Sequence, residues 1–196
     1  PTHVVHEGLA IMSRFPIIST NVLTLTLNRK DPSDYHQRLC LHAVVLLPNG
    51  KKLNALTTHM SLSERARVTT LQQIAQYISS LEGPVVLTGD FNNPIGSKQH
   101  PLDPSEFLAE SGVKDAFLEA GYGGPGQRGM TFPSWRPIKR IDGVYTRGLE
   151  VTEFEIRGDK PIECRPSWRQ AGECCDGING LFPSDHFFPV ALAAAV

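Results

Sequence analysis

The chain has 196 residues, 40% hydrophobic and 20% charged, with a formal net charge of −1; this balance fits one globular domain over residues 1–196 and excludes a disordered chain. The basic excess that gathers phosphates non-specifically is absent, and no apolar run approaches the ~20 residues needed to cross a bilayer, so this chain shows no transmembrane segment. The sequence opens on Pro1 rather than Met, so it reads as a processed form or a fragment, with targeting segments upstream left open.

Gly8 to Met12 is apolar and extended in character, followed by the turn-prone Arg14-Phe15-Pro16. Val22 to Leu27 alternates apolar residues with Thr, the period-two pattern of a half-buried strand. Leu39 to Leu47 and Lys52 to Thr58 read as two further strands joined through Asn49-Gly50, a strong hairpin signal, giving an antiparallel meander. Ser61-Leu62-Ser63-Glu64 has the form of a capping box, and Leu71, Ile74, Ala75, Ile78 and Leu81 then recur at helical spacing until Gly83-Pro84.

Val85 to Leu87 reads as a short buried strand with Asp90 to Asn93 in the loop at its C-terminal end. Pro104 to Glu110 and Lys114 to Ala120 are expected as short helices, and Gly121 to Gly129 as a surface loop. Ile141 to Tyr145, Val151 to Ile156 and Phe188 to Val196 read as strands. Between the last two, Gly158 to Leu181 has no period and is expected to be a long irregular excursion.

The four cysteines, Cys40, Cys164, Cys174 and Cys175, form no CxxC pair of the kind that builds a zinc site. Free thiols are the first reading; a loop disulfide from Cys164 to Cys174 or Cys175 is the alternative and would imply an oxidising compartment. The absence of an Asn-x-Ser/Thr sequon leans slightly toward the cytoplasm, and localisation is otherwise open.

Cleaving a phosphodiester requires a metal to neutralise oxygen charge, a group to orient or deprotonate water, and donors for the transition state. Asp and Asn suit Mg²⁺, with Mn²⁺ as an alternative, and His adds a donor near neutral pH. Asp90, Asn92, Asp142, Asp185, His186 and His59 supply these types from predicted strand ends. Singly, each acid also has an ordinary role: Asp90 as a turn residue after Gly89, Asp142 in an ion pair with Arg140, Asp185 as a turn acid.

Thr58-His59, Gly89-Asp90-Phe91-Asn92, Arg140-Ile141-Asp142 and Ser184-Asp185-His186 occur in an order that resembles the endonuclease/exonuclease/phosphatase superfamily, as does the segment from Glu7 to Ile17. The resemblance implies an α/β fold, a two-sheet α/β sandwich with the site where loops of both sheets converge. It also implies roles. Asp90 would orient or deprotonate water, and Asn92 would donate to phosphate or steady that carboxylate. His186 would bind the scissile phosphate or assist proton transfer with its ring oriented by Asp142. His59 would be a second phosphate-facing donor. The metal would be held by Asp185 together with Asp90 and Asn92.

Family members carry an Asn-bearing strand and then a metal-binding Glu upstream of the Glu-Gly-Leu-Ala-Ile segment, which starts here at Glu7. Neither has a matching position, so the fold is expected to be N-terminally incomplete. The missing part would be supplied by a longer polypeptide or by an N-terminal segment as a separate chain; a degenerate, non-catalytic binding module is the remaining alternative. The missing strands are expected to leave apolar surface uncovered.

The implied reaction is metal-dependent hydrolysis of a phosphoester substrate. Gly129 to Pro133 and Asp115 to Ala120 are similar to segments of sphingomyelinase-like branches, which points to a lipid or small phosphodiester. A nuclease acting on DNA or RNA is the alternative, with Lys139, Arg140, Arg147, Arg165 and Arg169 as its basic residues. His3 and His6 before Glu7, and His36, His42 and His100, are expected to be ordinary surface residues. Trp135 and Trp168 are candidate substrate-facing aromatics, with partial burial against the core the favoured reading.

Overall fold

The structure is a computed structural model and describes residues 8–96, 102–124, 126, 129–160 and 184–195. His3, His6, Glu7, His100, Cys164, Arg165, Trp168, Arg169, Cys174 and Cys175 lie outside the described residues, as does most of the expected excursion after Gly158.

Strands β1 (Ile17–Thr24), β2 (Leu39–Leu46) and β3 (Lys52–His59) form the expected antiparallel meander. Gly50 takes φ +80° at the β2–β3 turn, a conformation a residue with a Cβ reaches only at a cost. One expectation at the start of the chain needs correction. Strand β1 begins at Ile17 rather than at Val22 and ends at Thr24 rather than at Leu27. Past the end of β1, Leu25 N still donates to Arg38 O at 3.0 Å and Thr26 N donates to the Gln73 side chain at 3.0 Å. As an edge strand paired on one side only, it is exposed along nearly its whole length rather than half-buried.

Helix α1 (Glu64–Ser79) packs Leu71, Ile74, Ala75 and Ile78 onto the sheet, as their spacing predicts. Its N-cap is Ser63, whose Oγ accepts from Ala66 N at 3.1 Å, and not Ser61. Ser61 is diverted because its hydroxyl donates to Asp34 at 2.8 Å and accepts from Ser63 N. Strand β4 (Val85–Asp90) follows and lies parallel to β3, so β3, α1 and β4 form a crossover unit.

Helix α2 (Pro104–Ala109) comes next, and the helix expected over 114–120 divides in two. Lys114–Asp115 is strand β5, and Asp115 then caps helix α3 (Ala116–Glu119) by accepting from Phe117 N at 3.0 Å. Strand β6 (Asp142–Arg147) pairs antiparallel with both β4 and β5. Strands β7 (Leu149–Arg157) and β8 (Phe188–Ala195) make a second, two-stranded sheet.

The larger sheet runs in the order β1-β2-β3-β4-β6-β5. Period-two alternation sends the side chains of β4 and β6 to two different cores. Val85, Leu87 and Tyr145 join α1 and Leu108 of α2 on one face, while Val144 joins Phe117 and Phe154 of β7 on the other. The fold is thus a mixed α/β sandwich with a second sheet. Phe188, Val190 and Leu192 of β8 and Ile17, Ile18 and Val22 of β1 remain exposed.

The topology fixes which residues meet at one edge. Parallel β3 and β4 end together, with His59 beside Asp90 in register. Antiparallel β6 begins where β4 ends, with Asp142 opposite Asp90.

His42 is not a surface residue. It lies on β2 with 6% exposure, its Nδ1 2.8 Å from Tyr77 Oη and its Nε2 3.0 Å from Asn54 Oδ1. An isolated His on a strand carries no sequence mark of partners so far away in the chain. His36 is exposed as expected. Cys40 is a buried free thiol.

Candidate active site

Glycine at position 89 is required by the close approach of β3 and β4, because a Cβ there would run into the Thr58 carbonyl oxygen. Phe91, fully buried, packs edge-on against Tyr145 at 5.2 Å and anchors the turn that follows β4. With one side chain committed to the core, the alternation delivers Asp90 and Asn92 to the open edge. Asn92 takes φ 50°, a left-handed conformation that Asn tolerates better than most residues.

This turn is held on both sides. Asn92 N donates to Asp90 Oδ1 at 2.7 Å, while Asn92 Nδ2 donates to the Met60 carbonyl at 2.9 Å. Phe91 N donates to Ile141 O and Ile95 N to Arg140 O, each at 2.8 Å. Arg67, buried in α1, fixes the neighbouring turn by donating from Nη1 to the Ser61 and Leu62 carbonyls at 3.1 and 2.7 Å.

Across the edge, His186 Nδ1 lies 2.9 Å from Asp142 Oδ2, and its Nε2 lies 3.9 Å from Asp90 Oδ2. His59 Nε2 stands 3.3 Å from the same Asp90 oxygen. Side-chain exposures of 16% for Asp90, 14% for Asp142 and 23% for His186 leave each group within reach of a small ligand.

Burial pushes the Asp90 carboxyl above the ordinary carboxylate range, reinforced by the Asp142 charge and opposed by the Asn92 amide and both histidines. For His186, burial works downward, but the hydrogen bond and charge of Asp142, with Asp90 and Asp185 adding to it, raise its pKa overall. The edge therefore holds an Asp90 carboxyl that resists ionisation and a His186 imidazole inclined to keep its proton.

Asp90, Asp142 and His186 each offer a ligand atom, and those atoms all lie within 4.8 Å of one another. Two carboxylates and one imidazole are a donor set that fits a divalent cation. Of the expected metal set, Asp90 belongs to this cluster. Asn92 meets it through its backbone N–H, and Asp185 is exposed beside His186.

Thr131, with no exposed surface, is a supporting residue that sequence reasoning misses. Its Oγ1 accepts from Ile141 N at 3.2 Å and Asp142 N at 3.3 Å, while its carbonyl accepts from Phe187 N at 2.7 Å. One residue thus couples the strand carrying Asp142 to the segment carrying His186. Phe132 adds a ring 4.7 Å from the His186 imidazole.

Two basic residues named beside the site face inward instead. Arg140 is an ion-pair partner of Asp115 rather than Asp142 and lies over the Phe117 ring at 4.5 Å. Arg147 donates to the carbonyls of Ile78, Leu81, Gly83 and Ser111, closing the C-terminal end of α1. Lys139 is exposed.

A family model described as the endonuclease/exonuclease/phosphatase family matches residues 2–186. The chain belongs to this family. No curated protein sequence matches it. Among solved structures, the fold is similar to a mannosyl-6-phosphatase of Bacteroides thetaiotaomicron with a TM-score of 0.68 at 20% identity, covering 92% of this chain and 67% of that one. It is also similar to D. rerio TDP2 humanised by 14 mutations, with a TM-score of 0.63 at 18% identity over 92% and 67% of the two chains. For the human Nocturnin catalytic domain with bound sulfate the TM-score is 0.57 at 16% identity, over 92% and 59%. The chain therefore spans about two thirds or less of the length of these family structures.

Proposed function

We propose that this endonuclease/exonuclease/phosphatase chain carries the water- and phosphate-handling groups of a divalent-metal-dependent phosphoester hydrolase. The observation behind this reading is the meeting of Asp90, Asp142 and His186 at one sheet edge, with their ligand atoms within 4.8 Å.

Asp90 is placed to orient a water and accept its proton, since its Oδ1 is occupied by Asn92 N while Oδ2 faces His59 and His186. Asp142 accepts the Nδ1 proton of His186 and so fixes its ring, leaving Nε2 to bind a phosphate oxygen or pass a proton. His59 supplies a second donor on the opposite side of Asp90. Asp90 and Asp142 would hold Mg²⁺ or Mn²⁺, with Asp185 adding negative charge beside His186. When bound, the cation supplies Lewis-acid neutralisation of phosphate oxygen charge.

A small or lipid phosphodiester is the favoured substrate. The net charge of −1 carries no basic excess for a long polyanion, and Arg140 and Arg147 are committed inward. Phosphomonoesters enter the comparison because one similar structure is named a mannosyl-6-phosphatase.

The test is hydrolysis with Mg²⁺ or Mn²⁺ of para-nitrophenyl phosphate, bis(para-nitrophenyl) phosphate, sphingomyelin, inositol phosphates, and single-stranded and duplex nucleic acids. Turnover that is lost on chelation and in both Asp90→Ala and His186→Ala supports the reading. Turnover indifferent to both substitutions sinks the site assignment, and turnover confined to nucleic acid favours the nuclease alternative.

A further inference from the structure

Trp135 keeps 56% of its surface exposed and Ile138 61%, on a turn that is anything but loose. A bridge between Phe132 and Lys139 closes the turn, with Ile138 N and Lys139 N both donating to the Phe132 carbonyl at 2.9 Å. Arg136 N donates to Pro133 O at 3.0 Å within it. Ser134 N donates to the Asp185 carbonyl at 2.8 Å, tying the turn to the segment that carries His186. The indole is therefore carried on a hydrogen-bonded turn and stays exposed, rather than partly buried against the core.

Its position gives that exposure a use. The Phe132 ring is a neighbour of both the indole and His186, 4.7 Å from the His186 imidazole and 6.5 Å from the Trp135 ring. Through this shared neighbour the indole belongs to the surroundings that an ester substituent of a phosphate held at His186 would meet. We propose that Trp135, with Ile138 at its side, is a specificity residue that stacks against a planar aromatic group borne by the substrate phosphate. The proposal rests on the phosphoester reading above and, within it, favours small aryl- or nucleobase-bearing esters over lipids. Stacking on an indole face is tolerant of the ring's identity, because every aromatic ring presents a π-face.

The chain has two tryptophans, Trp135 and Trp168, so a Trp168→Phe background isolates the emission of Trp135. In that background, with Mg²⁺ present, methyl phosphate, n-hexyl phosphate and phenyl phosphate are titrated by fluorescence and by calorimetry. Phenyl phosphate should bind about tenfold tighter than methyl phosphate, on the scale of one stacked ring, and quench Trp135. Trp135→Ala should bring that ratio close to one, with Trp135→Phe retaining part of it.

A ratio untouched by Trp135→Ala overturns the proposal, as does n-hexyl phosphate binding tighter than phenyl phosphate, which would assign the patch to aliphatic chains. Loss of methyl phosphate binding in His186→Ala marks the phosphoester reading itself. If that loss is seen while phenyl and methyl phosphate bind equally, the role of Trp135 alone falls. If none of the three esters binds, both fall.

Discussion

His186 and His42 each present both ring nitrogens to other side chains, yet their surroundings differ in kind. His186 stands between two carboxylates at an open edge, where Asp142 and Asp90 raise its pKa against the pull of burial. His42 is enclosed by neutral groups, and burial lowers its pKa, with the Asn54 hydrogen bond working the other way. Asn54 Nδ2 donates to the carbonyls of Glu82 and Pro84, so its Oδ1 accepts from His42 Nε2–H. His42 Nδ1 then accepts from Tyr77, whose oxygen in turn accepts from Asn21. A fully satisfied neutral network specifies packing, whereas a charged and partly exposed one keeps capacity for a ligand.

The sharpest way to break this contrast is to remove the two rings in parallel. His186→Ala should lower phosphoester turnover about 10²- to 10⁴-fold, the range for loss of a positioned acid–base group. His42→Ala should leave turnover per folded molecule close to that of the parent. A comparable loss of turnover in folded His42→Ala, measured by steady-state kinetics beside circular dichroism, would erase the distinction.

Gly89→Ala probes the frame that both histidines depend on. The added Cβ meets the Thr58 backbone carbonyl, which cannot rotate aside, so β3 and β4 must separate next to Asp90. The expected cost is about 3 kcal/mol or more of unfolding free energy, at the upper end for overpacking, together with loss of turnover. Denaturant unfolding at parental stability would show that the strands adjust freely.

Tyr77→Phe should cost less, about 1–3 kcal/mol, because it strips the donor from buried His42 Nδ1 without opening a large cavity. Urea midpoints read this effect. An unchanged midpoint would mean that His42 finds another partner.

The same contrast explains which parts were legible in the sequence. Asp90 and Asn92 follow an apolar run and a Gly, and Asp142 and His186 lie beside strands whose period is plain, so local pattern located the edge residues. Helix α1 was legible through Leu71, Ile74 and Ile78, whose burial decides its face. Contacts set by tertiary pairing were not. Thr131 serves amides ten and eleven residues away, Arg140 finds Asp115 across 25 residues, and His42 meets Tyr77 across 35. Strand β1 is offset from the sequence reading because the alternation of Val22 to Leu27 outlasts the ladder at one end, while Ile17 to Asn21, which pair with β2, show no plain alternation.

The smallest expected effect is also the one that separates the two rings by sign. An unfolded histidine titrates near ~6.5. Since the folded pKa of His42 lies below that, both states are neutral above it, and the unfolded chain alone takes up a proton as pH falls through it. His42 therefore contributes a loss of stability on acidification that ends at its folded pKa. For His186 the folded pKa lies above the unfolded one, so its contribution is fully present below the unfolded value and is lost as pH rises through the folded value. Melting temperatures between pH 8 and pH 5 should fall less steeply in His42→Gln than in the parent and more steeply in His186→Gln. Deviations of the same sign in both variants would mean that the two environments are not electrostatic opposites.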